Sequence, residues 1–256
     1  MPQDSTTVIE AVPDRRVIRV SGSDAHGFLQ GMVTNDLARL KDGAVYTAFL
    51  SPQGKFLADF FVIPEGAALL LDVAETLAPG LLKRLTIFKL RADVTLEMTD
   101  MPVARGHGTP PEGAVTDPRH RELGWRLYGT EGGPQVTDWD KLRVALMIPE
   151  TGAELHPDDS YILEMGFERI NGVDFKKGCY VGQEVTARMK HKTELRKGLA
   201  RVEIEGEAAL GTEITANGKA AGVLGTQSGG QALAYLRFDR AKGEMTAGSA
   251  KVTWTP

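Results

Sequence analysis

Lys176-Lys177-Gly178-Cys179-Tyr180-Val181-Gly182-Gln183-Glu184 holds the only cysteine among 256 residues. Two lysines precede the thiol, and neighbouring ammonium groups favour the thiolate, the form that attacks electrophiles and ligates metals. Gly178 and Gly182 permit a positive φ or a close approach of backbone to a ligand. Val181, Val185 and Met189 recur every four positions, which predicts a helix beginning after Gly182 with Cys179 just ahead of its N-terminus. A helix N-terminus also stabilises a thiolate. Cys179 is therefore the candidate reactive group. The competing reading is a small, buried, apolar cysteine.

Composition bounds what such a thiol serves. With 42% hydrophobic and 25% charged residues, the chain buries a full core and suffices for two or three compact units. The longest apolar stretches, such as Ala67-Ala68-Leu69-Leu70-Leu71, fall far short of the roughly 20 residues of a membrane helix, so no span and no membrane partner is expected. Met1 to Val12 lacks a basic region followed by an apolar one, which argues against a secretory signal. One cysteine cannot form an internal disulfide, which predicts a reducing compartment, the cytoplasm by default. His26, His107, His120, His156 and His191 show no metal-ligand spacing, so no stably bound metal is expected. One thiolate cannot hold an iron–sulfur cluster that commonly takes four cysteines. No phosphate loop, G-x-S-x-G elbow or Cys–His pairing is readable.

The net charge of −4 hides an asymmetry. From Arg169 to Lys197, eight basic residues, Lys192 among them, stand against the three acids Asp174, Glu184 and Glu194. Such a segment attracts an anionic ligand or partner, or is a solvated helix face. Nucleic acid is not the expected partner, because the chain is acidic overall and the segment carries few aromatics, Phe175 and Tyr180.

Periodicity places a strand at Val17–Val20, a helix carrying Phe28, Leu29, Met32 and Val33, and a hairpin of residues 46–50 and 56–63 around Ser51-Pro52-Gln53-Gly54-Lys55. Strands at 67–73 and 94–98 bracket a helix at 75–89, giving an α+β layer with helices on one face of a mainly antiparallel sheet. Residues 106–124 read as a Gly- and Pro-rich loop, 125–128 as a strand, and 138–146 and 158–167 as short helices. From Leu199 onward, short strands alternate with Gly-containing turns, including the hairpin signal Asn217-Gly218, as in a small β-barrel or sandwich.

Lys177 to Glu184, K-G-C-Y-x-G-Q-E, resembles the signature of the YgfZ family of folate-binding proteins, which serves iron–sulfur enzymes. The resemblance extends upstream through Gly22-Ser23-Asp24-Ala25, Phe28-Leu29-Gln30-Gly31, Thr34-Asn35-Asp36-Leu37 and Phe49 to Lys55, leading to Asp59. These upstream pieces are shared with the aminomethyltransferase (T-protein) of the glycine cleavage system. The resemblance implies an α+β fold. It implies two related α+β subdomains in residues 1–195, divided near 100, around a central opening, with a C-terminal β-barrel in residues 196–256.

It also implies tetrahydrofolate, including polyglutamylated forms, as ligand, with iron–sulfur client enzymes or cluster carrier proteins as partners. Cys179 would be the reactive residue, and Asn35, Asp59, Arg126, Lys177, Tyr180, Gln183 and Glu184 the folate-binding set. A pterin needs acceptors for its guanidine-like edge, which Asp59 or Glu184 supplies. Asp59 otherwise reads as a surface acid on a strand edge, and Asn35 as a helix C-terminal cap. Arg119, in Asp117-Pro118-Arg119, and Arg126 are able to bind a carboxylate in bidentate fashion, or to staple a turn. The basic segment suits a polyglutamate tail.

Two departures separate the chain from the T-protein. Ala58-Asp59 stands where that relative has paired acids, and Arg143-Val144-Ala145 lacks an expected glutamate. Aminomethyl transfer is therefore not expected. A folate-dependent one-carbon transferase and an interaction module with a structural thiol remain the two alternatives.

Overall fold

The computed structural model describes residues 7–191 and 195–255. Lys192 and Glu194 of the basic segment lie outside the described residues. The chain forms two compact units. The first takes residues through Gln53, Leu57–Thr137 and Glu168–Gln183; the second takes Gly54–Phe56, Asp138–Phe167 and residues from Glu184 onward.

The first unit contains β1 (Val8–Ala11), β2 (Arg15–Ser21), α1 (Ala25–Met32), β3 (Val45–Leu50), β4 (Phe56–Glu65, apart from Phe56), β5 (Ala68–Ala74), α2 (Ala78–Phe88), β6 (Thr95–Thr99), β7 (Val103–His107), β8 (Val115–Thr116) and β9 (Trp125–Tyr128). A five-stranded sheet has the order β3-β4-β5-β2-β6, with antiparallel pairing of β4, β5, β2 and β6. A second sheet has the order β1-β7-β9-β8. The change of sheet between β6 and β7 falls near the expected subdomain boundary, except that β1 crosses it to pair with β7. There the strands approach closely: a Cβ on Gly106 would lie 1.9 Å from the Val8 carbonyl oxygen and 2.6 Å from the Trp125 ring.

The larger sheet is covered on both faces, which is why β4 and β5 read as nearly continuous apolar runs. One face, with Ile18, Val20, Phe60, Val62, Leu69, Leu71 and Val73, packs on Ala25 and Leu29 of α1 and on Ala78, Leu81 and Leu85 of α2. Successive side chains alternate between faces, so Asp59 and Phe61 of β4 lie on the other face. Asp72 of β5 is directly opposite Phe61 in the register.

The second unit holds α3 (Trp139–Leu146), α4 (Gln183–His191, whose first residue closes the first unit), β10 (Lys197–Glu205), β11 (Glu213–Ala216), β12 (Lys219–Ser228), β13 (Gln231–Arg237), β14 (Met245–Ala247) and β15 (Ala250–Thr253). The six strands close into a barrel, β10-β13-β12-β11-β14-β15. Its interior is filled by Ala, Val, Ile and Leu side chains with Met245, as expected where few strands leave little room. Asn217 and Gly218 have φ of 52° and 72° and join Ala216 to its partner Lys219, the mirror-image turn their sequence predicts.

Two expectations are corrected. Residues 158–167 are not a helix: Gly166 bonds three residues back, Met165 four and Phe167 five, and Asp158 and Gly166 have positive φ, so no regular ladder propagates. The six barrel strands all fall within the expected 196–256, but the compact unit that holds them also includes residues 138–167, expected to belong with the preceding region. Residues 138–167 join the barrel because Arg143 of α3 donates to Thr226 of β12 at 2.7 Å and to Glu154 at 3.2 Å, while Glu154 accepts from the Thr226 N–H at 2.8 Å.

Candidate functional site

In the first unit, the chain leading to Cys179 is laid along the end of α1 and the segment that follows it. Asn35 Nδ2 donates to the Asn171 carbonyl at 2.6 Å, and Thr34 Oγ1 to the Gly172 carbonyl at 2.7 Å. The Asp174 N–H bonds the Thr34 carbonyl at 3.0 Å, its carboxylate accepts from Arg39 at 2.8 Å, and the Val181 N–H reaches the Gly31 carbonyl at 3.3 Å.

Lys177 is the central fastener. Its buried ammonium donates to the carbonyls of Gln30 (2.7 Å), Val33 (2.5 Å) and Asn35 (3.1 Å). A helix end leaves such carbonyls without intrahelical donors, and a cation there also suits the helix dipole. Burial pulls the Lys177 ammonium down to about 8, opposed by Asp36 and Asp174. Asp36 is held below the usual carboxylate value, chiefly because it accepts from the Ala38 N–H. Lys177 therefore clamps α1, and the expectation that its charge is spent on the neighbouring thiol gives way to three carbonyls brought from far upstream.

The clamp leaves Cys179 exposed, so the buried-cysteine reading fails. Tyr180 is buried with the Lys177 ammonium 5.1 Å from its ring centre. Gly182 has φ +82°, and Gln183 opens α4 as the periodicity predicts. Gly178 does not use the positive φ open to it, and a Cβ there would meet no protein atom within 4 Å.

Within the same unit is a cavity of about 320 Å³ lined by Asn35, Arg39, Asp42, Ala44, Val45, Tyr46, Pro118 and Asn171. Asn35 is buried and is not the cap of α1, a place taken by Val33. Instead, its amide ties the Tyr46 carbonyl (2.8 Å) to that of Asn171, and its Oδ1 accepts from the Asp36 N–H. The Tyr46 hydroxyl donates to Asp59 at 2.9 Å, and burial followed by the Asp59 charge pushes it well above 10. Asp59 is thus a buried partner of Tyr46, not a surface acid, and does not line the cavity.

On the same sheet face, the Phe61 ring centre lies 5.2 Å from that of Tyr46, with the guanidinium carbons of Arg126, Arg119 and Arg15 at 4.2, 4.8 and 5.7 Å. These arginines are already paired. Arg119 holds Asp117 in bidentate fashion (3.0 and 2.8 Å), while Arg15 and Arg126 both bind Asp72, which also accepts from Tyr128 at 2.9 Å. Burial raises the Asp72 pKa, but Arg126 and Arg15 more than offset it and hold the carboxyl below its usual value. Arg126 is therefore a buried structural arginine.

Glu184 belongs to the second unit, where its exposed carboxylate pairs with Arg188 at 2.6 Å. The basic segment is divided between the units, and several of its charges are committed: Lys177 to carbonyls, Arg188 to Glu184 and Lys197 to Glu164. Arg39, Asp42, Tyr46 and Asn171 are lining residues that sequence reasoning missed. Asn171 carried the only local signal, as asparagine tolerates the left-handed backbone (φ +55°) it adopts.

Comparison with known proteins adds identity. Residues 196–256 match the CAF17 C-terminal beta-barrel domain. The chain is 34% identical, over 90% of its length and 78% of the relative's, to the Mus musculus protein named iron-sulfur cluster assembly factor IBA57, mitochondrial. It is 30% identical to the Homo sapiens protein of that name, with the same coverage. The aminomethyltransferase T of the Bartonella henselae glycine cleavage system shares the fold, with a TM-score of 0.71 at 12% identity, covering 96% of this chain and 84% of that one. The T-protein-like architecture with a C-terminal barrel is thus established, and the relatives carry the IBA57 name and not that of YgfZ. They are mitochondrial proteins, which overturns the cytoplasmic expectation: one cysteine excludes an internal disulfide but does not select among compartments. With a third of its residues shared over nine-tenths of its length, the chain belongs to the family of the iron–sulfur cluster assembly factor IBA57.

Proposed function

We propose that this protein is an accessory factor in iron–sulfur cluster assembly, acting through Cys179 on client enzymes or cluster carrier proteins, with tetrahydrofolate as its ligand. The observation that carries the reading is an exposed thiol on a loop hydrogen-bonded to the end of α1 and to the segment that follows it, Val33 to Arg39. Rigid placement of a nucleophile lowers the cost of presenting it to a partner. Kinship with named assembly factors supplies the process. The cluster is cargo, since one thiolate leaves most of its ligands to the partner.

The cavity suits a pterin better than a whole folate, being at the small end of ligand sites. Ala44 and Pro118 offer apolar surface, Asp42 an acceptor for the guanidine-like edge, and Arg39 a cation for a glutamate tail. Complementation of cells lacking the protein tests the thiol: Cys179→Ser should fold normally yet fail to restore iron–sulfur enzyme activities, and full restoration would overturn that role. Titration calorimetry with tetrahydrofolate tests the ligand separately. Binding weakened by Asp42→Asn supports the assignment, and absence of binding removes folate from the proposal while leaving the thiol untouched.

A further inference from the structure

The end of α2 carries apolar side chains that the core does not use. Ile87, Phe88 and Leu90 are 61%, 40% and 85% exposed, whereas Ala78, Leu81 and Leu85 of the same helix are buried. At 100° per residue, Ile87 points away from that buried stripe, and Lys83 and Arg84 flank it from one turn earlier. Phe88 packs edge-on against Phe49, with ring centres 6.1 Å apart, which roots the projection in the core.

Beyond the helix, Lys89 Nζ donates to the Val94 carbonyl at 2.7 Å and closes the turn. In that turn Leu90 has φ +48°. A leucine that is both left-handed and solvent-exposed is unfavourable twice over, and glycine or asparagine would relieve both costs. Lys83, Arg84 and Arg91 are exposed and, among the described residues, have no hydrogen-bonding or ion-pair partner. The nearest acid in sequence, Asp93, is taken by the N–H and hydroxyl of Ser23 at 3.1 and 2.8 Å.

We propose that this projection docks on an anionic lipid bilayer, with Ile87 and Leu90 entering between headgroups and Lys83, Arg84 and Arg91 contacting their phosphates. Three unpaired cations around exposed apolar tips match the charge and polarity of such a surface. The apolar area, on the order of a few hundred Å², falls short of the roughly 800 Å² per partner of a stable protein interface. No helix among the described residues is long and apolar enough to cross a membrane, and attachment through this patch is interfacial.

Flotation of the full chain with vesicles tests the proposal. It should float at low salt with an equal mixture of phosphatidylcholine and phosphatidylserine but not with phosphatidylcholine alone, and salt should release it. Leu90→Asn, which suits the left-handed backbone and so preserves folding, and Ile87→Gln should each lower the bound fraction several-fold. Lys83→Glu with Arg84→Glu should abolish binding. The proposal falls if the chain does not float, floats equally with neutral vesicles, or is indifferent to these variants. It falls equally if Leu90→Asn instead abolishes self-association, which would make the patch a contact between copies.

Discussion

Replacing Lys177 by methionine keeps an apolar stem and removes the ammonium that holds the thiol loop to α1. In the folded chain that ammonium serves the carbonyls of Gln30, Val33 and Asn35 at 2.5–3.1 Å. A hydrogen bond to a charged group contributes about 1.5–3 kcal/mol, but these three share one desolvated charge, so their sum is an overestimate. The cost of leaving a buried carbonyl without its donor, about 3 kcal/mol at the upper end, is the better guide. For a chain of this length it lowers Tm by roughly 6–12 °C. Lys177→Gln retains two donors and should fall between.

The pH dependence has a definite sign. Lys177 titrates at about 8 in the folded chain and near 10.4 when unfolded. Between these values the unfolded state holds more protons, so this group makes stability rise with pH over that interval and leaves it flat below. The difference in urea midpoint between wild type and Lys177→Met should therefore widen above about pH 8. Thermal melts, urea titrations and the alkylation rate of native Cys179 at neutral pH together decide the matter. If Lys177→Met melts like wild type while its thiol reacts far more slowly, the clamp reasoning is refuted and Lys177 acts on the sulfur.

Asp72→Asn should cost about 3–5 kcal/mol, because two buried guanidiniums lose their shared carboxylate; a stability loss below 1 kcal/mol in urea denaturation would contradict the charge network. Since the Asp72 carboxyl is held below its usual value, its contribution should be intact above about pH 4 and vanish as the pH falls further, so the variant's deficit shrinks in acid. Gly182→Ala should destabilise by about 1 kcal/mol through its positive φ, whereas Gly178→Ala should be neutral or slightly stabilising, and equal effects in thermal melts would refute the contrast. Glu184→Ala, which breaks only an exposed helix pair, should shift stability by less than about 0.5 kcal/mol, as chemical denaturation would register.

These variants separate what local sequence encodes from what it does not. Asn217-Gly218 predicts its own turn because the required backbone signs reside in those two residues. The helix after Gly182 and the antiparallel sheet are legible for a similar reason, since apolar periodicity follows directly from element geometry. The run Leu69-Leu70-Leu71-Asp72-Val73 reads as a strand with one misplaced acid, and the meaning of that acid lies in Arg15 and Arg126, 57 and 54 residues away.

Lys177 is the sharper case. Two residues from the thiol, it reads as an activator by proximity, yet the acceptors that claim its ammonium come from as far as 147 residues upstream. Side chains on either side of a turn need not share an environment. What survives from the motif is therefore exposure of Cys179, and the lysine's contribution is to fix where the sulfur stands. A lysine that positions by clamping must be lost together with stability, while one that activates is lost with reactivity alone. That difference makes the Lys177 variants a test of how the loop works as well as of how it folds.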